Sequence, residues 1–390
     1  MNHDAIDSTG FPLGFKTRAG LRAATVAGIA PARDVFRVEA RTMGGHQKEL
    51  VVTEGAAGDA WRLTSDEGAN LKGTDLAPFP LTFFNAGLHA DFANRAMALA
   101  RTRGVPLRID AIHLDNQYTF NGSFFRGTGE GSAEAVDIKV AARSSAPAAQ
   151  VQALLDAALA ASPAHALMAL AQRNTFALYV NGRRCPVVRV ASSGQPDQVD
   201  PFKAHPAPPV PLPGAADAID AITRLSPDPS AGPTRVLPGD GRVPIAIRGS
   251  STVDASGLVA TTVTPPSAGA RFRVICDESP AGGRAPSALA CIAAGIAFCY
   301  MTQFTRYIEH RQHKVRAIRF VQTLPFTLSA DGPDGALRGG LEPVDTHVFL
   351  HAEDPDEVMQ NLLQVAENTC YLHAALRASL PGKVTLALNQ

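Results

Sequence analysis

The chain repeats itself. Sliding the sequence by 208 positions aligns residues 77–170 with 285–378 without a gap. Ala77-Pro78 falls on Ala285-Pro286, Leu81 on Leu289, and Ala86-Gly87 on Ala294-Gly295. Arg108 meets Arg316, Gly127 meets Gly335, and Glu134-x-Val136-Asp137 meets Glu342-x-Val344-Asp345. Between 131 and 170, twelve of forty positions are identical, where chance gives about two or three. Just upstream, at an offset of 211, Trp61-Arg62 and Asp66-Glu67 meet Phe272-Arg273 and Asp277-Glu278. The repeat predicts two like copies, at about 14–190 and 215–390. The linker between them, 191–214, holds seven prolines from Pro196 to Pro213. That composition favours an extended polyproline II connector, stiff enough to span the outside of a body.

Each copy opens with alternating β-formers, DVFRVEART, KELVVT and AWRLTS in the first, VPIAIRG, GLVATTV and FRVICDE in the second. These predict an antiparallel sheet. A helix follows the Ala-Pro pair in each copy, at about 78–102 and 286–311. Its first half is apolar on nearly every face, which predicts burial on all sides. Two strands come next, at about 107–120 and 134–143, matched by 315–328 and 343–351, with glycine-rich loops between them. A second helix starts at Ser145-Ala146-Pro147 or Asp354-Pro355, proline suiting a first turn. TFALYVNG and KVTLALN supply the last strands. The order is an α+β pattern.

Composition narrows the functions. The 36 basic and 36 acidic residues cancel, so the charge gives no reason to expect nucleic acid or an anionic membrane as partner. The most apolar stretch, residues 288–301, is shorter than the roughly 20 residues a spanning helix needs. The N-terminus MNHDAIDSTG shows no signal peptide, and the expected compartment is the cytoplasm. Cys185, Cys276, Cys291, Cys299 and Cys370 form no CxxC and no zinc spacing, so thiols are expected, with no metal and no cofactor. HExxH, GxSxG, Walker and Rossmann signatures are absent.

The element order and motifs resemble the OsmC/Ohr family of osmotically induced and organic hydroperoxide resistance proteins. The matching features are Asp277-Glu278 closing a strand, the glycine turn Gly282-Gly283, and Ala285-Pro286-Ser287-Ala288-Leu289 leading an apolar helix to Cys299. NLLQVAENTCYLH then sets Cys370 near the middle of the second helix. The resemblance implies an intertwined pair of copies with long central helices, so that one fused chain does a dimer's work. It also implies a stress-response thiol peroxidase in which one cysteine attacks a hydroperoxide and a second condenses with the sulfenic acid. The family's Pro-Glu inside the helix is replaced here by Ala288-Leu289 and Pro80-Leu81. Arg284 and Arg273 are the candidate substitutes for the arginine that this glutamate would hold.

Copy two keeps both cysteine positions. Copy one has Asp91 opposite Cys299 and Ser162-Pro163 opposite Cys370-Tyr371. The candidate catalytic residues are therefore Cys299, Cys370, Asp91 and His373, the last three residues beyond Cys370. Asp91 has Arg95 one turn on as its nearest partner, and His89 stands nearly opposite Asp91 on the helix. Cys291 reads as core filler and Cys185 and Cys276 as strand residues. His165 and His373 read as helix-surface or interface histidines, with a Cys370–His373 thiolate–imidazolium pair as the alternative for His373. Glu134, Glu342, Asp137 and Asp345 are expected to pair with Arg108 and Arg316 or to cap the hairpins. His310 and His313 are expected at a solvated helix end.

Three functions fit these residues. The first is thiol-dependent reduction of organic hydroperoxides through Cys299 and Cys370, with a thiol reductant as partner. The second is a cysteine-dependent hydrolase or lyase acting on a small substrate, aromatic ones included. The third is a non-enzymatic binder of small hydrophobic ligands. All three take a small molecule, and a homodimer of the fused unit is compatible with each.

Overall fold

The computed structural model describes residues 5–18, 33–55, 58–124, 126–205, 207–213, 219–228, 243–278, 283–330 and 335–389. Residues 1–4 and Gly282 of the glycine turn lie outside them. The first half runs β1 (Gly14–Thr17), β2 (Arg33–Thr42), β3 (Lys48–Glu54), β4 (Asp59–Ser65), α1 (Pro80–Arg103), β5 (Arg108–Asn121), β6 (Glu130–Ala133) and β7 (Asp137–Arg143). It continues with α2 (Ala148–Ala160), α3 (Pro163–Ala169), β8 (Thr175–Val180), β9 (Arg183–Cys185), β10 (Ala191–Ser192) and α4 (Pro201–Ala204). The second half runs β11 (Ile222–Leu225), β12 (Val243–Val253), β13 (Val259–Thr264), β14 (Arg271–Cys276), α5 (Ala288–Arg311), β15 (Val315–Ser329), β16 (Arg338–Leu341) and β17 (Asp345–Ala352). It ends with α6 (Asp356–Thr369), α7 (Tyr371–Arg377) and β18 (Lys383–Asn389). This is a mixed α/β fold, with seven α-helices and two sheets among the described residues.

Each sheet takes strands from both halves. The ten-stranded sheet runs β1-β4-β3-β2-β15-β17-β8-β10, with β16 on β15 and β9 on β8. The eight-stranded sheet runs β11-β14-β13-β12-β5-β7-β18, with β6 on β5. The joins are β2 with β15 and β12 with β5, both antiparallel, and β8 with β17 and β18 with β7, both parallel. Helix α1 lies on the sheet built around β12–β14 and β5, and α5 on the one built around β2, β3 and β15. Each long helix thus covers β-structure mainly from the opposite half.

The two long helices pack against each other, for a reason legible in their composition. Gly87 and Gly295 occupy corresponding places in them. A Cβ on Gly87 would lie 2.8 Å from the Ala288 carbonyl oxygen, and one on Gly295 would lie 2.9 Å from the Phe84 amide nitrogen. Only hydrogen at these positions lets the backbones come so close. Phe83 and Phe298 flank the crossing with ring centroids 5.6 Å apart. Helix α5 is long and apolar enough to cross a membrane by length and composition, yet its apolar stretch is wholly buried in the protein.

The expected second helix is broken in both halves. Ser162 caps α3 by accepting from the His165 amide, and Pro163 takes the first turn. In the second half Cys370 stands at the break, with extended backbone (φ −78°, ψ 118°), so it is the N-cap of α7 and does not sit inside a helix. Thr369 Oγ1 turns back on the Val365 carbonyl at 2.8 Å, a local bond that favours ending α6 there.

Other expectations are corrected. Arg108 pairs with Asp110 and Arg316 with Glu353, so neither holds the hairpin glutamates. Asp137 meets Lys383, and Asp345 meets His347. The Glu134 and Glu342 amides donate to the Gln117 and Pro325 carbonyls at the hairpins. His313 is not at a solvated end: it pairs with Asp354 at 3.3 Å and lies beside Tyr307.

The linker is extended over much of its course but carries β10 and the one-turn α4, and it is pinned to the face of the ten-stranded sheet turned away from the helices. Asp200 accepts a two-pronged bond from Arg319 at 2.6 and 2.7 Å, Gln198 meets Arg37 at 2.7 Å, and Asp197 meets Tyr179 at 2.8 Å. Beneath it His347 is buried between Asp345 and Tyr179.

Candidate active site

The apolar helix α5 carries Cys299 toward a cleft, and the break before α7 carries Cys370 to it from behind. Their sulfurs are 3.3 Å apart. Cys299 is 3% exposed and lines the cleft, whereas Cys370 is fully buried and does not. His373, one turn into α7, sets Nδ1 3.2 Å from Cys370 Sγ, and its ring packs on Tyr300 and Phe176. Burial pushes the His373 imidazole down to about 3 and, with Cys299 alongside, pushes the Cys370 thiol well up. At neutral pH the pair is a neutral imidazole beside a thiol and not an imidazolium–thiolate pair.

The cleft is walled by both halves. Phe79, Pro80 and Leu81 from the start of α1, Ile245 and Ile247 from β12, and Tyr371 give it an apolar body. Three charged groups that spacing arguments overlooked stand in its wall: Glu67, Arg306 and Asp75, the last paired with Arg224 at 3.2 Å. Glu67 accepts from Thr302 at 2.5 Å and pairs with buried Lys48 at 3.1 Å. Arg306 donates to Gln303 at 3.0 Å and lies 4.4 Å above the Phe124 ring. Two had a sequence signal: Arg306 is seven residues past Cys299 on one helix face, and Glu67 is the repeat partner of Glu278. Neither arginine suggested by the sequence joins them. Arg284 pairs with Asp277 and bonds Ser256, and Arg273 is exposed on β14.

The corresponding residues of the first half form a different arrangement. Asp91 is 1% exposed and accepts from the Ser162 hydroxyl at 2.5 Å and the Ala164 amide at 3.0 Å, with Arg95 Nε at 3.4 Å. A carboxylate and a hydroxyl thus occupy the places of the two thiols, and together they hold the start of α3. Asp91 faces this cap and does not line the cleft. His165 bonds the Leu88 carbonyl at 3.1 Å and, buried, is pushed down to about 4. His89 bonds Ser251 at 2.9 Å. Cys276 and Cys291 are fully buried with sulfurs 3.6 Å apart, and Cys185 lies beside Asp356 at 3.5 Å. No group of three or more metal-ligating side chains occurs among the described residues.

A solved structure of an OsmC-like hydroperoxide resistance protein from Jannaschia sp. CCS1 is similar at 23% identity, covering 32% of this chain and 79% of that one, with a TM-score of 0.21. No curated protein matches the chain. The family model described as OsmC-like protein matches residues 281–385, the span that holds α5, Cys299, Cys370 and His373. The second half of this chain therefore carries an OsmC-like domain.

Proposed function

We propose that the chain is an OsmC-like thiol peroxidase in which two copies are fused into one pseudo-dimer with a single dithiol site. The observation that carries the reading is the sulfur pair at 3.3 Å, of which only Cys299 reaches the cleft. Cys299 attacks the distal oxygen of an organic hydroperoxide, the O–O bond breaks, and an alcohol leaves. The resulting sulfenic acid condenses with Cys370, releasing water and leaving a disulfide. An external dithiol, itself oxidised, returns both cysteines to thiols. Strand exchange between the halves supports the pseudo-dimer, and the Asp91–Ser162 bond supports a first-half site without redox chemistry.

The test is mass spectrometry of the purified protein before and after one equivalent of cumene hydroperoxide. The expected product is a Cys299–Cys370 disulfide. Cys370→Ser should stop at a sulfenic acid on residue 299, and Cys299→Ser should consume no peroxide. Persistence of both thiols in the wild-type protein under excess peroxide sinks the reading.

A second reading rests on Glu67. A carboxylate in the cleft wall near Cys299 suits proton transfer in a cysteine-dependent hydrolase or lyase. It predicts an acyl or alkyl adduct on Cys299 with activated esters and an unchanged Cys370. The cytoplasm, where dithiol reductants are kept reduced, suits the first reading.

A further inference from the structure

Behind the cleft wall, α1 and the β5–β12 pair enclose a buried polar layer that the dithiol chemistry leaves unused. Thr82, Asn85, Asn116 and Tyr118 are each at most 1% exposed. Asn85 Nδ2 donates to the Leu114 carbonyl at 3.1 Å and to Asn116 Oδ1 at 2.9 Å. Four of their polar atoms have no hydrogen-bond partner among the described residues: Thr82 Oγ1, Asn85 Oδ1, Asn116 Nδ2 and the Tyr118 hydroxyl. Asn85 Oδ1 turns to Gly249 and His89, and the Tyr118 hydroxyl stands at the other end of the layer. An unpaired polar group is costly when buried, so a layer with four of them calls for an occupant.

None of the four lines the cleft itself, but their neighbours do. Tyr118 is paired across the sheet with Ile245, and Asn116 with Ile247; both isoleucines line the cleft. Leu81, next to Thr82, lines it too. The Tyr118 ring lies 5.4 Å from that of Tyr371, which follows Cys370 and also faces the cleft. Burial, and the nearness of both cysteine sulfurs, push the Tyr118 phenol well up, so it is a hydrogen-bond donor at any ordinary pH.

The other half lacks the layer. At the places matching Thr82, Asn85, Asn116 and Tyr118 stand Ala290, Ala293, Leu324 and Phe326. The polar set is therefore no requirement of this packing geometry, and it occurs on the sheet whose strands border the dithiol cleft.

We propose that Tyr118, with Thr82, Asn85 and Asn116 behind it, is a hydrogen-bonding recess at the inner end of the Cys299 cleft that receives the neutral, oxygen-bearing end of a small alcohol or hydroperoxide. With no cation among these four side chains, the recess suits a neutral oxygen over an anion. The peroxide role rests on the function proposed above. There, sulfur supplies the electron pair of the new S–O bond, and the O–O pair goes to the departing oxygen. The Cys299 thiol proton passes to the phenol oxygen as the phenol proton passes to the departing oxygen. The products are a sulfenic acid and a neutral alcohol, and Tyr118 is unchanged.

Tyr118→Phe and Asn116→Leu test this, since each installs the residue that the second half already packs at the matching place. Titration calorimetry with 2-phenyl-2-propanol should show binding to the wild type and about tenfold weaker binding to Tyr118→Phe. Single-turnover oxidation of Cys299 by cumene hydroperoxide should slow at least about tenfold in Tyr118→Phe. Alkylation of Cys299 by iodoacetamide, which needs no proton for a departing oxygen, should stay within about twofold. Failure of the wild type to bind the alcohol, or equal binding by the wild type and both variants, overturns the recess. So does a parallel loss of oxidation and alkylation. Tyr118-dependent alcohol binding without any peroxide consumption supports the recess and rejects the peroxidase.

Discussion

Three histidines, His89, His165 and His373, are held neutral by burial, with pKa values pushed down to about 3, 4 and 3. The unfolded chain protonates them near 6.5. As pH falls from 6.5 toward 4 the unfolded state binds more protons than the folded one, so folding stability falls. Each histidine contributes a slope of about 1.4 kcal/mol per pH unit in that window. Glu54 opposes this. It accepts from the Ser287 amide at the start of α5, and burial raises it to about 7, so its contribution falls as pH rises from about 4.5 to 7. Urea denaturation of His373→Phe should show the acid slope reduced by roughly one histidine's share. An unchanged slope would mean that His373 is protonated in the folded state.

Asp91 is the residue where a chemical and a packing role compete, and its contacts favour packing. Removing its carboxylate leaves the Ala164 amide and the Ser162 hydroxyl without their acceptor. Asp91→Ala should cost about 1–3 kcal/mol, read as a lower melting temperature, while peroxide turnover stays near wild type. Loss of turnover at an unchanged melting temperature would assign Asp91 to the chemistry instead.

At the scale of elements, the sequence made the long helices plain and hid their ends and partners. The apolar run with Gly295 at its centre could only be a buried helix crossing another closely. The break at residue 370 was hidden because Thr369-Cys370-Tyr371 contains no breaker. Its repeat partner, Ser162-Pro163, does contain one, so comparing the copies residue by residue would have moved Cys370 to a helix cap. The cleft was half legible: Cys299 and Cys370 stood out as cysteines, while Glu67 and Arg306 looked like ordinary charges until a wall formed around them. The helix crossing gives a direct test. Gly295→Ala places a methyl 2.9 Å from the Phe84 backbone nitrogen. Backbone cannot rotate aside as a side chain can, so the helices must part. A destabilisation of roughly 1–3 kcal/mol is expected from this single carbon, measured by denaturant midpoint. A neutral or stabilising result would show that α1 and α5 cross elsewhere.

For the whole molecule, strand pairing between the halves matters more than the linker that joins them. Self-alignment showed two copies but not this exchange, because a repeat states which segments are alike and is silent on which of two similar partners each one takes. Pairing β2 with β15 and β12 with β5 makes each sheet depend on both halves, and no division of the chain leaves either half with a complete sheet. The linker adds polar clasps on one face, among them Asp200–Arg319 and Asp197–Tyr179. Those clasps hold residues 197–200 to the ten-stranded sheet whether or not the chain is continuous further on. Inserting a protease site within 214–218 and cutting the folded protein should therefore leave the two fragments together on size exclusion, with Cys299 still reactive toward peroxide. They should separate only in denaturant. Expressed alone, residues 215–390 should be insoluble or should dimerise to replace the missing strands, since β12 and β15 would each present a long unpaired edge. A soluble, monomeric second half with a normal melting transition would refute the interleaved arrangement and with it the fused pseudo-dimer.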